Sequence, residues 1–344
     1  MRDRIGRTIE YMRVSVTDRC NLRCIYCMPE GGVPRVSHSD ILTFDEITRI
    51  CRIGSDIGIS RIKLTGGEPL VRRGLPALLR MIRDLPGIEQ VTLTSNGILL
   101  KENINELVSS GLDAVNISID TPDAGRYKEI TRGGGLSRAL EGMEAALSFP
   151  GLQVKINCVP MQGVPADDYI CLARMSEKRN VDVRFIEMMP IGPGKGLGVV
   201  RGGQIYSMLK DVFGEASVCT GRFGNGPAVY VRFPGFQGKT GFIDAVSHQF
   251  CGTCNRIRLT SEGRLKPCLQ YGDGADLRRL LRNGADDERI RDEMRRTIYG
   301  KPDCHRFADS ISADAYFSRA AQQNICRTED GHIYETKDMS QIGG

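Results

Sequence analysis

Three cysteines crowd one short stretch of this chain: Cys20, Cys24 and Cys27, in the run RCNLRCIYCMP from Arg19 to Pro29. Iron–sulfur clusters are ordinarily held by four Cys thiolates. Three thiolates at this spacing wrap one face of such a cube and leave one iron open. An open metal position is what separates a reactive site from a structural one. Free Cys is among the most buried residue types, yet these sit among Asp18, Arg19, Asn21 and Arg23, a poor setting for a core. The stretch therefore predicts chemistry at an open iron.

A second trio lies far downstream, with Cys251 and Cys254 separated by two residues and Cys268 following after thirteen more. A zinc ribbon would place a second Cys pair at about 15–20 residues, but Leu269, Gln270 and Tyr271 follow Cys268. His248, Cys304 or His305 could complete a zinc site, and a second iron–sulfur cluster with its own open iron competes with that reading. Arg256 and Arg258 follow Cys254 at alternate positions, so on a strand both point to one face. The arginine fork suits phosphate because it donates two parallel hydrogen bonds. Arginines beside such a cluster fit an anionic ligand.

The elements that position these groups alternate. Strands are expected at Tyr11–Val16, Arg61–Leu64, Gln90–Thr94, Ala114–Ile119, Gln153–Asn157 and Asp182–Ile186. Helices are expected at Phe44–Gly58, Leu75–Leu85, Asn103–Ser110, Leu136–Ser148 and Ala166–Lys178. Thr43 followed three residues on by Glu46 is a capping-box signal for the first of them. Such alternation implies βαβ crossovers, a parallel sheet and an α/β fold, here an incomplete (β/α)6 TIM-like barrel. Polar segments close nearly every strand: Thr17-Asp18-Arg19, Thr65 to Pro69 (TGGEP), Thr94 to Gly97 (TSNG), Ser118 to Asp120 and Glu187 to Pro190. Carboxyl ends of parallel strands are where barrel enzymes build their sites.

Beyond residue 190 the texture changes. Residues 192–203 are glycine-rich and read as a loop. Residues 216–270 read as short strands and hairpins, including Ala228–Phe233 and Arg256–Thr260. Residues 276–299 read as helical and heavily charged, and the last forty-five as polar and extended. This divides the chain into a partial barrel over 1–190 and a C-terminal region over 191–344.

Composition sets bounds. With 344 residues and 12 cysteines, six of them in two trios, metal ligation in a reducing compartment is expected rather than a disulfide framework. Cys51, Cys158, Cys171 and Cys219 are read as core residues. The formal charge is only +5, from 47 basic and 42 acidic residues interleaved along the chain, so no nucleic-acid partner is implied. Neither a signal peptide nor a long apolar span is present, so a cytoplasmic protein with no membrane partner is expected. Gly238-Lys239-Thr240 imitates the end of a P-loop, but that pattern needs Gly where Phe233 stands. Gly194, Gly196 and Gly198 lack the register of a dinucleotide fingerprint.

The C-x3-C-x2-C trio with Tyr26 before its last cysteine, together with Gly66-Gly67-Glu68-Pro69, resembles the radical S-adenosylmethionine superfamily. The stretches SVTDRCNLRC from Ser15 and FCGTCNRIRL from Phe250, with the final Gly343-Gly344, resemble one family within it: the GTP 3′,8-cyclases of molybdenum-cofactor biosynthesis. The similarity runs from about residue 8 to the C-terminus, and it implies that the C-terminal, iron–sulfur-containing region closes the open side of the barrel.

The resemblance implies that Cys20, Cys24 and Cys27 hold a 4Fe–4S cluster whose open iron chelates S-adenosyl-L-methionine. Tyr26, Gly67, Ser118 and Met189 fall on positions that contact this cofactor. Cys251, Cys254 and Cys268 would hold a second 4Fe–4S cluster, whose open iron meets the guanine of GTP. Arg13, Arg256 and Arg258 match arginines that grip GTP, and Lys63, Thr94, Lys155 and Ile257 match further GTP contacts. Many relatives carry Arg where this chain has Lys63, which keeps the charge but not the bidentate fork. The implied reaction takes hydrogen from C3′ of GTP with a 5′-deoxyadenosyl radical and closes C3′ onto C8 of the base. The cofactor supplies the hard chemistry and the protein supplies orientation. Implied partners are a flavodoxin- or ferredoxin-like electron donor, the next enzyme of the pathway and a second copy in a homodimer. The Gly-Gly tail is expected to reach towards the site, where slim backbone is needed. Two other readings stand beside this one: a peptide-modifying radical enzyme with an auxiliary cluster, and a non-enzymatic iron–sulfur or zinc-ribbon protein.

Overall fold

The structure is a computed structural model and describes residues 1–34, 36–221, 223–307 and 332–343. The chain opens with β1 (Tyr11–Ser15), α1 (Phe44–Asp56), β2 (Arg61–Thr65), α2 (Leu75–Arg83), β3 (Gln90–Ser95), α3 (Leu100–Ser109) and β4 (Ala114–Ser118). Helices α4 (Ala124–Thr131) and α5 (Leu136–Leu147) lead to β5 (Gln153–Cys158), α6 (Ala166–Arg174) and β6 (Val181–Ile186). After them come α7 (Gly202–Phe213), β7 (Ser217–Val218), β8 (Val229–Arg232), β9 (Thr240–Ile243), β10 (Arg256–Leu259), β11 (Arg264–Lys266), β12 (Ala275–Asp276), α8 (Leu277–Arg282) and α9 (Asp287–Tyr299).

Among the described residues these strands form one sheet in the order β12-β11-β10-β1-β2-β3-β4-β5-β6-β9-β8-β7. Strands β1 to β6 pair in parallel in chain order. The later strands extend both ends, with β10 parallel to β1 and β9 parallel to β6. The expected incomplete barrel is therefore flanked on its two open edges by strands from beyond residue 190.

The strands alternate, but not as barrel strands usually do. Met12, Val14, Ile62, Leu64, Val91 and Leu93 face outward and pack with Ile47, Ile50, Leu78 and Leu79 of the helices in one core cluster. Each such side chain contributes about 1.5–3 kcal/mol on burial. The intervening positions turn inward and are polar. A barrel interior is ordinarily filled by branched apolar residues; here Arg13, Lys63, Thr94, Asn116 and Lys155 line a cavity instead.

The Thr43 capping box is present, with Thr43 Oγ1 accepting from the Glu46 amide at 3.1 Å and Glu46 Oε2 accepting from the Thr43 amide at 2.7 Å. Two helices were not expected, the charged C-terminal stretch divides in two, and one expectation, for two of the cysteines, needs correction. Helix α4 was not expected; it is short, and its N-cap Asp123 accepts from the Arg126 amide at 2.8 Å. Helix α7 begins on Gly202-Gly203, with an arginine at the N-cap position, so no usual start signal marks it. The charged stretch 276–299 is two helices, because Gly284 takes φ +79° and Asp286 starts a second N-cap. Cys51 and Cys158 are buried, but Cys171 is exposed on α6 and Cys219 is half-buried just after the edge strand β7. Among the described residues no helix is long and apolar enough to cross a membrane. Gly344 and most of the polar C-terminal stretch lie outside the described residues.

Candidate active site

The first trio follows β1 and is seated by the loop that follows β2. The Gly67 amide donates to the Thr17 carbonyl and the Glu68 amide to the Arg19 carbonyl, both at 2.8 Å. Arg23 folds back to donate to the carbonyls of Cys20 (2.7 Å) and Leu22 (2.8 Å). Asn96, from the turn after β3, donates to Asn21 Oδ1 at 2.7 Å. Glu68 fixes that turn, accepting from the Asn96 amide at 2.7 Å, Ser95 Oγ at 2.9 Å and the Leu70 amide at 3.1 Å. Burial pushes the Glu68 carboxyl up to about 7 against those bonds. Tyr26 donates to Asp120 Oδ2 at 2.8 Å, tying the trio to the end of β4. Burial brings Asp120 up to about 6.

The second trio surrounds β10. Cys251 opens a short turn, Cys254 precedes the strand and Cys268 follows β11. All six cysteines face one cavity of about 320 Å³, within the roughly 300–1,000 Å³ usual for small-molecule sites. Among the described residues no three His, Cys, Asp or Glu side chains gather around one point as a single metal ion requires. A cube with irons at separate corners spreads its thiolates more widely, and three thiols opening together onto a shared space fit one. Tyr26, Gly67, Ser118 and Met189 line the same cavity, as do Arg13, Lys63, Thr94, Lys155, Arg256 and Arg258. Ile257 does not; its side chain lies fully buried in the outer core, so it offers the cavity backbone only.

Register assembles the cations. Arg13 stands opposite Arg258 on one side and Lys63 on the other, and Asn116 opposite Lys155. Burial, with Arg184, Arg13, Lys155 and Arg256, pushes the Lys63 ammonium well below its ordinary range. Burial, Arg13 and Arg256 do the same to Arg258. Lys155 is better compensated, 3.7 Å from Asp182. Buried charges demand partners, and mutually repelling cations along one cavity wall are an arrangement that a polyanion would neutralise. Gly343 reaches it: its carbonyl accepts from Arg258 Nη1 at 2.8 Å. With φ +70°, and Ser15 Cβ 3.0 Å from where a Cβ would stand, only glycine suits that position.

Arg184, Asn157, Glu187 and Lys301 also line the cavity, and sequence reasoning missed them. Asn157 and Arg184 were findable by period two, since they share the inward face with Lys155 and Ile186. Glu187 accepts from the Val246 and Ser247 amides at 2.7 and 2.9 Å, anchoring the approach to the second trio. No spacing in the sequence announces that contact.

The trios differ electrostatically. Burial pushes Cys20 up to about 11 and Cys27 up to about 12. Burial also raises Cys254, but Arg256 and Lys301 overturn it and bring that thiol down to about 6. At pH 7 this favours the Cys254 thiolate over that of Cys20 by about 10⁴, of which intrinsic nucleophilicity returns about 10² to Cys20. In the cluster-free protein iodoacetamide should therefore label Cys254 before Cys20 and Cys27, with a rate rising through pH 6. Peptide mapping by mass spectrometry reads this, and uniform labelling of the six thiols would refute it.

Comparison with known proteins joins these features. The radical SAM superfamily model matches residues 14–175 and the Molybdenum Cofactor Synthesis C model residues 181–307. A GTP 3′,8-cyclase of Clostridium perfringens (strain SM101 / Type A) is 44% identical over 307 residues, 89% of this chain and 95% of the relative. The chain belongs to the GTP 3′,8-cyclase family. Another cyclase of the family, from Alkaliphilus oremlandii (strain OhILAs), is 38% identical over 353 residues and spans all of both chains. The structure of SuiB from Streptococcus suis matches with a TM-score of 0.55 at 16% identity, over 82% of this chain and 67% of that one, a likeness of fold. Radical SAM enzymes carry a 4Fe–4S cluster and use S-adenosylmethionine.

Proposed function

We infer that this chain is a radical S-adenosylmethionine enzyme that cyclises GTP to (8S)-3′,8-cyclo-7,8-dihydroguanosine 5′-triphosphate, the first step of molybdenum-cofactor biosynthesis. One observation carries the reading: two cysteine trios open onto one cavity whose wall carries a belt of cations, with Lys63, Lys155, Arg184 and Arg258 buried. Cys20, Cys24 and Cys27 would hold the first 4Fe–4S cluster, with Tyr26, Gly67, Ser118 and Met189 about S-adenosylmethionine. Cys251, Cys254 and Cys268 would hold the second, and Arg13, Lys63, Thr94, Lys155, Arg256, Arg258 and the backbone of Ile257 would hold GTP. Residues 1–190 would thus carry the first cluster and residues 191–344 the second.

When bound, the first cluster and S-adenosylmethionine supply a carbon radical strong enough to take hydrogen from an unactivated C–H bond. The chain's own residues do the rest. Arg13, Arg256 and Arg258 offer parallel donors to phosphate oxygens, and Lys63 and Lys155 add point charges. The sheet walls one side of the cavity, and exclusion of water there would protect a reactive intermediate. Tyr26, held neutral by burial and bonded to Asp120, fixes the cysteine loop without offering a mobile proton. A flavodoxin- or ferredoxin-like electron donor, transfer of product to the next enzyme of the pathway, a homodimer and a cytoplasmic setting belong to this reading. A peptide-modifying enzyme would leave the cation belt unexplained.

Anaerobic protein reconstituted with iron and sulfide, then given S-adenosylmethionine and dithionite, should form 5′-deoxyadenosine much faster with GTP than without it. Indifference to GTP would reject the substrate. Wild-type protein should hold about eight irons; four irons and one zinc would reject the second cluster.

A further inference from the structure

Arg7 and Lys301 are buried cations that the reaction above does not use. Lys301 follows α9 and is 3% exposed. Its Nζ donates to the Arg256 carbonyl at 2.9 Å and to the Pro267 carbonyl at 2.5 Å. Strands β10 and β11 pair at Arg258 with Lys266 and at Leu259 with Leu265. Just past the open end of that hairpin stand Cys254 on one arm and Cys268 on the other. Lys301 thus spans the hairpin where its ladder stops and its cysteines begin.

Lys301 is itself pinned. Arg7 Nη2 donates to the carbonyls of Lys301 (3.3 Å) and Pro302 (2.8 Å). Its Nη1 donates to those of Cys251 (2.8 Å) and Asp303 (3.1 Å). Arg7 Nε is held by Asp3 Oδ2 at 2.5 Å, with both side chains almost wholly buried. One guanidinium therefore fastens the Cys251 turn to the segment that carries Lys301. An ammonium has three donors, and Lys301 uses two of them on carbonyls while lining the cavity with the cysteines.

We propose that Lys301, locked by Arg7, is a positioning residue of the second iron–sulfur site, holding the Cys254 and Cys268 arms together and placing a positive charge beside the cluster. This rests on the reading of Cys251, Cys254 and Cys268 as cluster ligands. A cluster's potential follows its net charge and the hydrogen bonds around it, and groups that orient metal ligands typically govern about 10–100-fold in metal affinity. The Lys301 charge makes reduction of the second cluster easier, and the two carbonyl bonds keep its ligands in register.

The test uses the full chain with Cys24→Ala, so that the second cluster is observed alone. Adding Lys301→Met should shift the cluster's midpoint potential, read by EPR redox titration, to more negative values. It should also make iron easier to strip with a chelator, by about 10–100-fold. Lys301→Arg should recover part of both, and Arg7→Met should weaken iron retention. In the otherwise wild-type chain, Lys301→Met should keep the first cluster, read by its iron content and spectrum. An unchanged potential and unchanged iron retention in Lys301→Met would overturn the proposal. So would loss of the first cluster as well, which would make Lys301 a general structural residue. A Cys24→Ala parent that holds zinc or nothing at the second trio would bring down the reading of that trio, and the role of Lys301 with it.

Discussion

Gly67→Ala should lower turnover about 100-fold or more while leaving the second cluster in place. A Cβ built on Gly67 would lie 2.4 Å from the Arg19 carbonyl oxygen, 2.7 Å from its carbon and 2.8 Å from the Asp18 carbonyl oxygen. These are backbone atoms, so no side chain can swing aside. Gly66 is as confined, with the Thr17 carbonyl oxygen at 2.5 Å. Overpacking of this kind costs about 1–3 kcal/mol, less than the roughly 5–15 kcal/mol that holds a domain folded. The protein should therefore fold, and the strain should be relieved by moving the loop that begins at Thr17. That loop carries Cys20, and a misplacement of about 1 Å at reacting groups can cost 10²-fold in rate. Iron content, together with single-turnover formation of 5′-deoxyadenosine, reads the effect. About eight irons with a normal rate would show that the two loops need not touch.

That contact explains a motif which the sequence displays without its reason. Gly66-Gly67-Glu68-Pro69 was visible as a chemically loaded strand ending, but its neighbour lies some fifty residues earlier in the chain. The six parallel strands were legible because Met12 and Val14, Ile62 and Leu64, Val91 and Leu93 alternate with polar residues along short β-rich runs. The same alternation hid the site's main property. A polar face on a strand ordinarily meets solvent, and here it lines a cavity, which places Arg184 and Asn157 on the cavity wall rather than on the outer surface. Cysteine spacing disclosed both trios, since ligands of one cluster on one loop must be near in sequence. It could not show that they share a cavity, because that follows from β10 pairing with β1 across more than 240 residues of chain. Lys301 and Arg7 were illegible for a related reason: their partners are backbone carbonyls, which every residue has. Helix α7 escaped notice because a pair of glycines opens it, against ordinary helix preference.

Lys63→Met should weaken GTP binding and at the same time stabilise the empty protein. Lys63 is buried, and the charges that press on it most are Arg184, Arg13, Lys155 and Arg256. All four are cations. Its folded pKa is depressed, so between that value and its ordinary value of 10.5 the unfolded chain binds more protons than the folded one. Stability must then rise with pH across that window. Below the folded pKa, the empty protein carries the full cost of a charged ammonium among like charges. Methionine removes that cost and keeps most of the side chain's length. The melting temperature of the nucleotide-free variant should exceed that of wild type at pH 7, and the gap should narrow as pH climbs towards 10.5. With GTP the order should invert, because a hydrogen bond to a charged group contributes about 1.5–3 kcal/mol, or roughly 10–150-fold in Kd. Lys63→Arg should preserve binding and add a second donor for a phosphate oxygen. Calorimetry with and without GTP across that pH range separates the two effects. A Lys63→Met protein that is destabilised when empty, or that binds GTP as wild type does, would show that the belt of cations is balanced from within the protein and is not held in reserve for a polyanion.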